Sequence, residues 1–455
     1  MATSSNRSAT LPKPRLLERL GLHRPELRAW AMYDWALSAV QTTVMVAVFP
    51  IFFIKVAGAN IGETAANQQW ATANSIAVAV VAILSPILGA VADYAAAKKS
   101  LLAAFMILGV AACMGMYFIG HGDIRLAFAL FVLVAIAAAG SAVFYESLLP
   151  HIADESEVDR VSTAGYAIGY IGGGVLLALN LAWIQKPEWF GLPSGDGLSP
   201  TQATLPARLA MVSVAVWWVV FSIPLFRRVP EPPRALESDE RAGENAVKMA
   251  FVRLGETFRE LRGYKQAFLM LLAFLIYNDG ISTIQKMAVA YGTELGIEQG
   301  ALIGAILIVQ FVGIPFTFLF GMLAGRIGAK RSVLLGLAVY GAISIIGYFM
   351  KTATHFFILA GLVGMVPGFP HHKSGEFFGF YSVFNKFAGI FGPLLFAVVI
   401  GSTGSSRNAI LSVILFFAVG AFILSFVDVD EGERIARAAE ADTHAESVAR
   451  AAARA

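Results

Sequence analysis

Cysteine is nearly absent from this chain. Cys113 stands alone among 455 residues, inside an apolar run. One thiol excludes an internal disulfide and any cysteine-rich metal site, and its setting is that of a packing residue. Charge is scarce too. Lys, Arg, Asp and Glu make up 14% of the sequence, against about a quarter in soluble domains. The formal net charge is only +3, so nothing argues for a nucleic-acid partner. The short patterns of common enzyme chemistry are also missing: there is no His-Glu-x-x-His, no Cys/His ligand cluster, no Gly-x-Ser-x-Gly and no phosphate-binding glycine loop. These absences disfavour a membrane enzyme, imply no metal and no cofactor, and leave ATP without a place as a driver.

What the chain has is apolar length. Hydrophobic residues make up 57% of it, and its mean hydropathy is +0.68. Long, nearly uncharged runs recur throughout and predict an all-α, multi-pass membrane protein. Spans are expected near 29–54, 68–92, 99–120, 126–149, 161–184, 206–226, 266–291, 300–324, 332–350, 356–370, 377–401 and 408–427. Arg227 to Lys265 separates them six and six, opening with "RRVPEPPRALESDE", whose prolines and charges mark a linker. The division is therefore an N-terminal arm (1–28), a six-helix bundle (29–226), a linker (227–265), a second six-helix bundle (266–427) and a tail (428–455). The end of the linker, "AFVRLGETFRELRGYKQ", has helical spacing suited to the membrane surface, and the Ala/Arg/Glu tail reads as a solvated helix. The polar, basic arm lacks the apolar core of a signal peptide.

Lys and Arg placement gives an expected orientation. The arm carries Arg7, Lys13, Arg15, Arg19, Arg24 and Arg28, the loop after the second span Lys98 and Lys99, and the loop after the eighth Arg326, Lys330 and Arg331. Opposite loops hold only Lys55, Arg125, Lys186, Lys351 and Arg407. Both termini and the linker are expected in the cytoplasm, with the chain a monomer in a bacterial inner membrane.

One span is too short. Phe356 to Pro370 gives about 15 residues, a rise of about 22 Å, against a bilayer core of about 30 Å. A short crossing helix from Phe356 to about Val366 is expected, followed by an extended, Pro-bounded segment.

The halves repeat. "GAVADYAAAKKSLL" (Gly89 to Leu102) aligns with "GMLAGRIGAKRSVLL" (Gly321 to Leu335), placing Lys98 on Lys330 and Lys99 on Arg331. Tyr33 and Asp34 in "YDWALSAVQ" have counterparts in Tyr277 and Asp279 of "YNDGISTIQK". Two parallel six-helix repeats joined by a loop describe the major facilitator architecture. The Gly–acid–basic cluster resembles that superfamily's signature between its second and third helices. The first copy has Tyr94 where an arginine is usual, and the second keeps Arg326 without the acid. Gly89, Asp93, Lys98, Lys99, Gly321, Arg326, Lys330 and Arg331 are therefore cytoplasmic gate candidates, with topology-setting as the plain alternative for the basic residues.

Ionisable groups at membrane depth are functional candidates by default. Asp34, Ser38 and Gln41 fall at i, i+4 and i+7, on one helical face, and Asp279, Thr283 and Lys286 repeat that spacing in the seventh span. Glu146 lies near the cytoplasmic end of the fourth span, and Asn385 and Lys386 lie mid-way along the eleventh. Three acids against two lysines suit a zwitterion, and each acid can also carry a coupling proton. The plainer readings are a helix-start role for Asp34, a structural pair at Asp279 and Lys286, and snorkelling of Lys386. "GYAIGYIGGG" (Gly165 to Gly174) reads as helix packing, and Gln310 with Pro315 as packing or a hinge.

The chain resembles the vacuole effluxer-like branch of the major facilitator superfamily, bacterial permeases related to fungal autophagy-linked amino-acid exporters. The carrying motifs are "WAMYDWALSAVQTT", "SPILGAVADY", "FYESLLPHI", "GYIGGGVLL", "YNDGISTI", "QFVGIPF" and "GEFFGFYSVFNKFAGIFGPLLF". The resemblance implies a transporter of a small solute, amino-acid efflux being the expected activity, with protons as the expected coupling ion and membrane lipid as its surroundings. Leu37 stands where the family usually has Asn, Glu146 where it often has a neutral polar residue, and Pro367 to Pro370 replace a longer run of small and polar residues. The rival expectation is a sensor or scaffold that keeps the fold and has lost flux.

Overall fold

The structure, a computed structural model, describes residues 16–94, 97–154, 157–232, 265–365 and 388–429 and positions 255, 259, 431 and 434. Every regular element among them is helical. After a single turn at Leu16–Arg19 come α1 (Pro25–Ala57), α2 (Glu63–Tyr94), α3 (Lys98–Phe118), α4 (Ile124–Ile152), α5 (Val158–Gln185) and α6 (Leu205–Arg228). The second half supplies α7 (Lys265–Glu294), α8 (Gln299–Ile327), α9 (Ala329–Tyr348), α10 (Ala353–Met365), α11 (Phe391–Thr403) and α12 (Ser406–Ser425). Eight of these helices are long and apolar enough to cross a membrane.

Helix pairing repeats between the halves. In the first, α1 packs on α5 and α6, α4 on α2 and α3, and α3 on α6. In the second, α7 packs on α11 and α12, α10 on α8 and α9, and α9 on α12. The contacts that join the halves obey the same symmetry, α2 meeting α11 and α5 meeting α8. The fold is two six-helix bundles related by a pseudo-two-fold axis, the major facilitator arrangement.

α1 is not a regular α-helix. Val40–Ala47 and Phe53–Ala57 are wound as π-helix. The first of these holds Thr42, Thr43, Val44 and Val46, β-branched residues whose Cβ atoms crowd a tight helical turn. Pro50 then removes a backbone donor between the two segments. Side chains take up part of the disturbed bonding. Thr42 Oγ1 lies 3.1–3.3 Å from the carbonyls of Ser38, Ala39 and Gly173, any one of which can take its single proton. A buried polar chain, Ser213 Oγ to Asn180 Oδ1 at 3.0 Å and Asn180 Nδ2 to Thr43 Oγ1 at 3.2 Å, ties α6 and α5 to the same segment. π-segments of this kind are frequent at functional sites.

α10 is 13 residues long and rises about 20 Å. It starts three residues before the expected Phe356. The Pro-bounded segment after it, the "GEFFGFY" motif, most of the linker and most of the tail lie outside the described residues.

Candidate functional site

The site is built where the two repeated polar helices, α1 and α7, meet the fifth helix of their own half. In the first half the partner is α5, whose Gly165, Gly169, Gly172 and Gly173 form one face against α1. A Cβ on Gly169 would lie 2.6 Å from Ser38 Oγ and 3.2 Å from the Asp34 carboxylate. The absence of side chains there is what leaves room for Asp34 and Ser38. Asp34 is half-buried, Gln41 and Glu146 are exposed, and Asp34 and Glu146 interact electrostatically. Both acids also act on Tyr166, and Asp34 acts on Tyr170. Behind them Trp30 stacks on Tyr145 at 4.5 Å between ring centroids and donates its Nε1 proton to the Tyr145 carbonyl at 3.1 Å. This aromatic floor fixes the α4 segment that carries Glu146.

In the second half the partner is α11, which begins in mid-bundle. Gly389 has φ +95°, a left-handed conformation that favours glycine and breaks the chain before Phe391. A helix start leaves its first N–H groups without partners. Here Phe391 N–H donates to Asp279 Oδ2 at 3.0 Å and Gly392 N–H to Asp279 Oδ1 at 2.7 Å. The next residue, Pro393, has no N–H to satisfy. Asp279 is thus a cap delivered from a neighbouring helix, with 1% of its surface exposed. A Cβ on Gly392 would collide with Thr283 Oγ1 and lie 2.7 Å from Asp279 Oδ1. Lys286 extends over the same turn, its Nζ 3.1 Å from where a Gly389 Cβ would be. Asp279 and Lys286, two turns apart on α7, therefore both reach the start of α11, where they interact electrostatically.

Between the halves lies a cavity of about 360 Å³, within the range of small-ligand sites. Val46, Tyr166 and Tyr170 wall it from the first half, and Gln285, Tyr291 and Gln310 from the second. α10 contributes Phe356, Leu359 and Val363, so the short helix forms part of the wall. Gln285, Tyr166, Tyr170 and Tyr291 are polar groups that composition and stripe spacing did not single out. Gln285 sits next to Lys286, whereas Tyr166 and Tyr170 lie inside the stretch read as helix packing.

At the end of the bundle away from the termini the halves are joined. Thr64 Oγ1 and Asn67 Nδ2 of α2 donate to Glu294 of α7 at 2.9 and 2.7 Å, and Ser406 Oγ of α12 donates to the same carboxylate. One turn deeper, Trp70 Nε1 donates to the Lys286 carbonyl at 3.1 Å. Glu294 lies beyond the span expected at 266–291, in what reads from sequence as a loop.

At the termini end, Lys99 Nζ donates to the carbonyls of Phe226 and Val229 at 3.0 and 2.6 Å, closing the C-terminus of α6. Lys330 Nζ does the same for α12, at Ser425 and Val427, 2.8 and 2.7 Å. The geometry equates Lys99 with Lys330, one residue off the alignment made through the basic pairs. Lys98 Nζ lies 3.1 Å from His151 Nε2, and Arg326 and Arg331 are exposed. Gly89 and Asp93 lie near the end of α2, and Gly321 in α8. Asn385 and Lys386 fall outside the described residues.

The comparisons agree with this architecture. The D-xylose–proton symporter matches with a TM-score of 0.63 at 15% identity, over 88% of this chain and 96% of that one. The nucleoside transporter NupG matches at 0.61 and 13%, over 89% and 99%. At such identities the likeness is one of fold. An MFS-type transporter of Bacillus subtilis, YxiO, is 35% identical over 414 residues, 88% of this chain and 94% of that protein. Autophagy-related protein 22 of Yarrowia lipolytica is 25% identical over 60% of this chain and 51% of its own length, so the chain spans about half of that fungal relative. The family model described as "Vacuole effluxer Atg22 like" matches residues 69–437, and the chain belongs to that family of multi-pass MFS-type membrane transporters.

Proposed function

We propose that the chain is a secondary transporter that exports a small polar solute, an amino acid, by alternating access of the central cavity, with protons as the coupling ion. The observation that carries this reading is the placement of Asp34 and Glu146 against the tyrosine wall of a cavity shared by the two halves. Acids at membrane depth mark substrate and proton pathways, and a site between repeats is where rocking of one half against the other exposes a solute to each side in turn. The carboxylates attract the ammonium group, and the amides of Gln285 and Gln310 offer donors and acceptors to the remainder. The distribution of Lys and Arg supports cytoplasmic termini in a bacterial inner membrane.

Purified protein in proteoliposomes tests this directly. Accumulation or release of radiolabelled amino acids, stimulated by an imposed pH gradient, is the expected result. No flux for any member of a broad solute panel, with or without the gradient, would remove the reading in favour of a sensor that kept the fold.

A further inference from the structure

Hydrogen bonds join the two halves at the end away from the termini, and Glu294 is their hub. We propose that Glu294 is a gating residue: with Thr64, Asn67 and Ser406 it forms a clasp that holds the cavity shut at the end away from the termini, and releasing it is the step that opens that end. The proposal rests on the alternating-access reading above.

Three features carry it. The clasp crosses the halves, since Thr64 and Asn67 belong to α2 while Glu294 and Ser406 belong to α7 and α12. Asn67 Nδ2 also reaches Ser406 Oγ at 3.1 Å, which draws the beginning of α12 into the same knot. Asn67 is wholly buried and Ser406 2% exposed, so closure excludes water from those two donors. Second, the partners of the carboxylate are neutral. Nearby Arg407 points its Nη1 to the Tyr348 carbonyl at 3.3 Å instead. A carboxylate held by hydroxyls and an amide is directional and stronger than a neutral hydrogen bond, yet water replaces every donor once the halves part. A reversible closure needs that combination. Asn67 Oδ1 is buried with no partner among the described residues, so the amide is oriented for Glu294 rather than for its own comfort. Third, Thr64, Asn67 and Trp70 fall at three-residue spacing on one face of α2. Trp70 bonds the backbone of Lys286, next to the cavity residue Gln285. The clasp and the cavity wall therefore share one α2–α7 seam.

A reporter cysteine tests the clasp without measuring transport. Ala167 is exposed to the cavity, and native Cys113 is wholly buried, so an Ala167→Cys protein has one reactive thiol. It is placed in vesicles whose orientation is fixed by protease access to a C-terminal tag. A membrane-impermeant maleimide is then added on the side away from the termini. Glu294→Ala should raise the labelling rate at least about tenfold, the shift given by losing one charge-assisted bond. Thr64→Val, which keeps shape and loses the donor, should raise it by less, and Asn67→Asp, which sets a second carboxylate against the first, by as much or more. Adding Thr64→Val to Glu294→Ala should change nothing further. Labelling within twofold of the parent in Thr64→Val and Asn67→Asp, in protein that remains monodisperse, overturns the proposal even if Glu294→Ala fails to fold. So does a parent already labelled as fast from that side as from the other. Because no solute is present, these outcomes stand apart from a failure to find transport.

Discussion

Asp34 and Asp279 occupy matching places in the two halves, each on the first helix of its bundle, and each faces a glycine of the fifth helix, Gly169 or Gly392. Their fates differ because the partner helices differ. α5 runs unbroken from Val158 to Gln185, so the N–H groups beside Asp34 are spent on its own backbone. α11 starts at Phe391, and its first two N–H groups are free to be taken by Asp279. One acid is left beside Glu146 and the tyrosines that wall the cavity; the other is absorbed into the architecture. The same residue type at the same spacing is thus a site group or a structural cap according to whether a helix end lies opposite.

The largest expected effect tests the glycines. Gly392→Ala puts a Cβ into Thr283 Oγ1 and against the Asp279 carboxylate, and Thr283 is held by its bond to the Asp279 carbonyl at 2.7 Å. Thr283 can yield only by giving up that bond, and Asp279 only by breaking the cap. Overpacking costs about 1–3 kcal/mol and the lost cap about as much again; little folded protein should survive detergent extraction, as size-exclusion chromatography would show. Gly169→Ala meets chiefly the Ser38 hydroxyl, which can rotate. It should extract normally and lose transport more than stability. Equal damage from both would erase the contrast.

Next come the acids. Asp279→Asn leaves one of the two N–H groups facing an amide NH₂, and thermal unfolding should show a loss of about 1–3 kcal/mol. Asp34→Asn breaks no described hydrogen bond, so its stability should stay within about 0.5 kcal/mol, while pH-gradient-driven flux is abolished and solute exchange without a gradient persists. If Asp279→Asn instead kept full stability and lost only the response to pH, Asp279 would be the proton carrier and the asymmetry described above would be wrong.

Much of this was legible in the sequence. Period and hydropathy locate the helices, and the paired motifs disclose the repeat, because apolar length and i, i+4 stripes are local properties. Asp34, Ser38, Asp279 and Thr283 emerge from spacing for the same reason. The cap on α11 does not emerge, since it depends on α11 starting at Phe391 and on which helix lies opposite that start. Glu294 was missed because hydropathy ends α7 at about the point where the acid appears, whereas the helix continues to meet Thr64, Asn67 and Ser406, more than 100 residues away on either side. The repeat alignment is one residue off because the basic pairs, Lys-Lys against Lys-Arg, align end to end, whereas the carbonyls they hold pair Lys99 with Lys330.

That slip yields the smallest and cleanest comparison. Lys99 and Lys330 each occupy the second position of a helix and each reaches back to the last carbonyls of the final helix in its half. A cation at a helix C-terminus contributes about 0.3–1 kcal/mol when exposed and up to about 2 kcal/mol when partly buried. Lys99→Met and Lys330→Met should therefore each lower stability by a similar amount within that range, whereas Lys98→Met and Arg331→Met, the other members of the basic pairs, should differ from one another. Lys98 is buried and lies beside His151, while Arg331 is exposed. Thermal unfolding of the four variants at low and high salt separates the two ways of pairing the halves. If Lys98 and Lys330 behaved as the matched pair, the register of the aligned motifs would be the better guide to equivalence than the carbonyls these side chains hold.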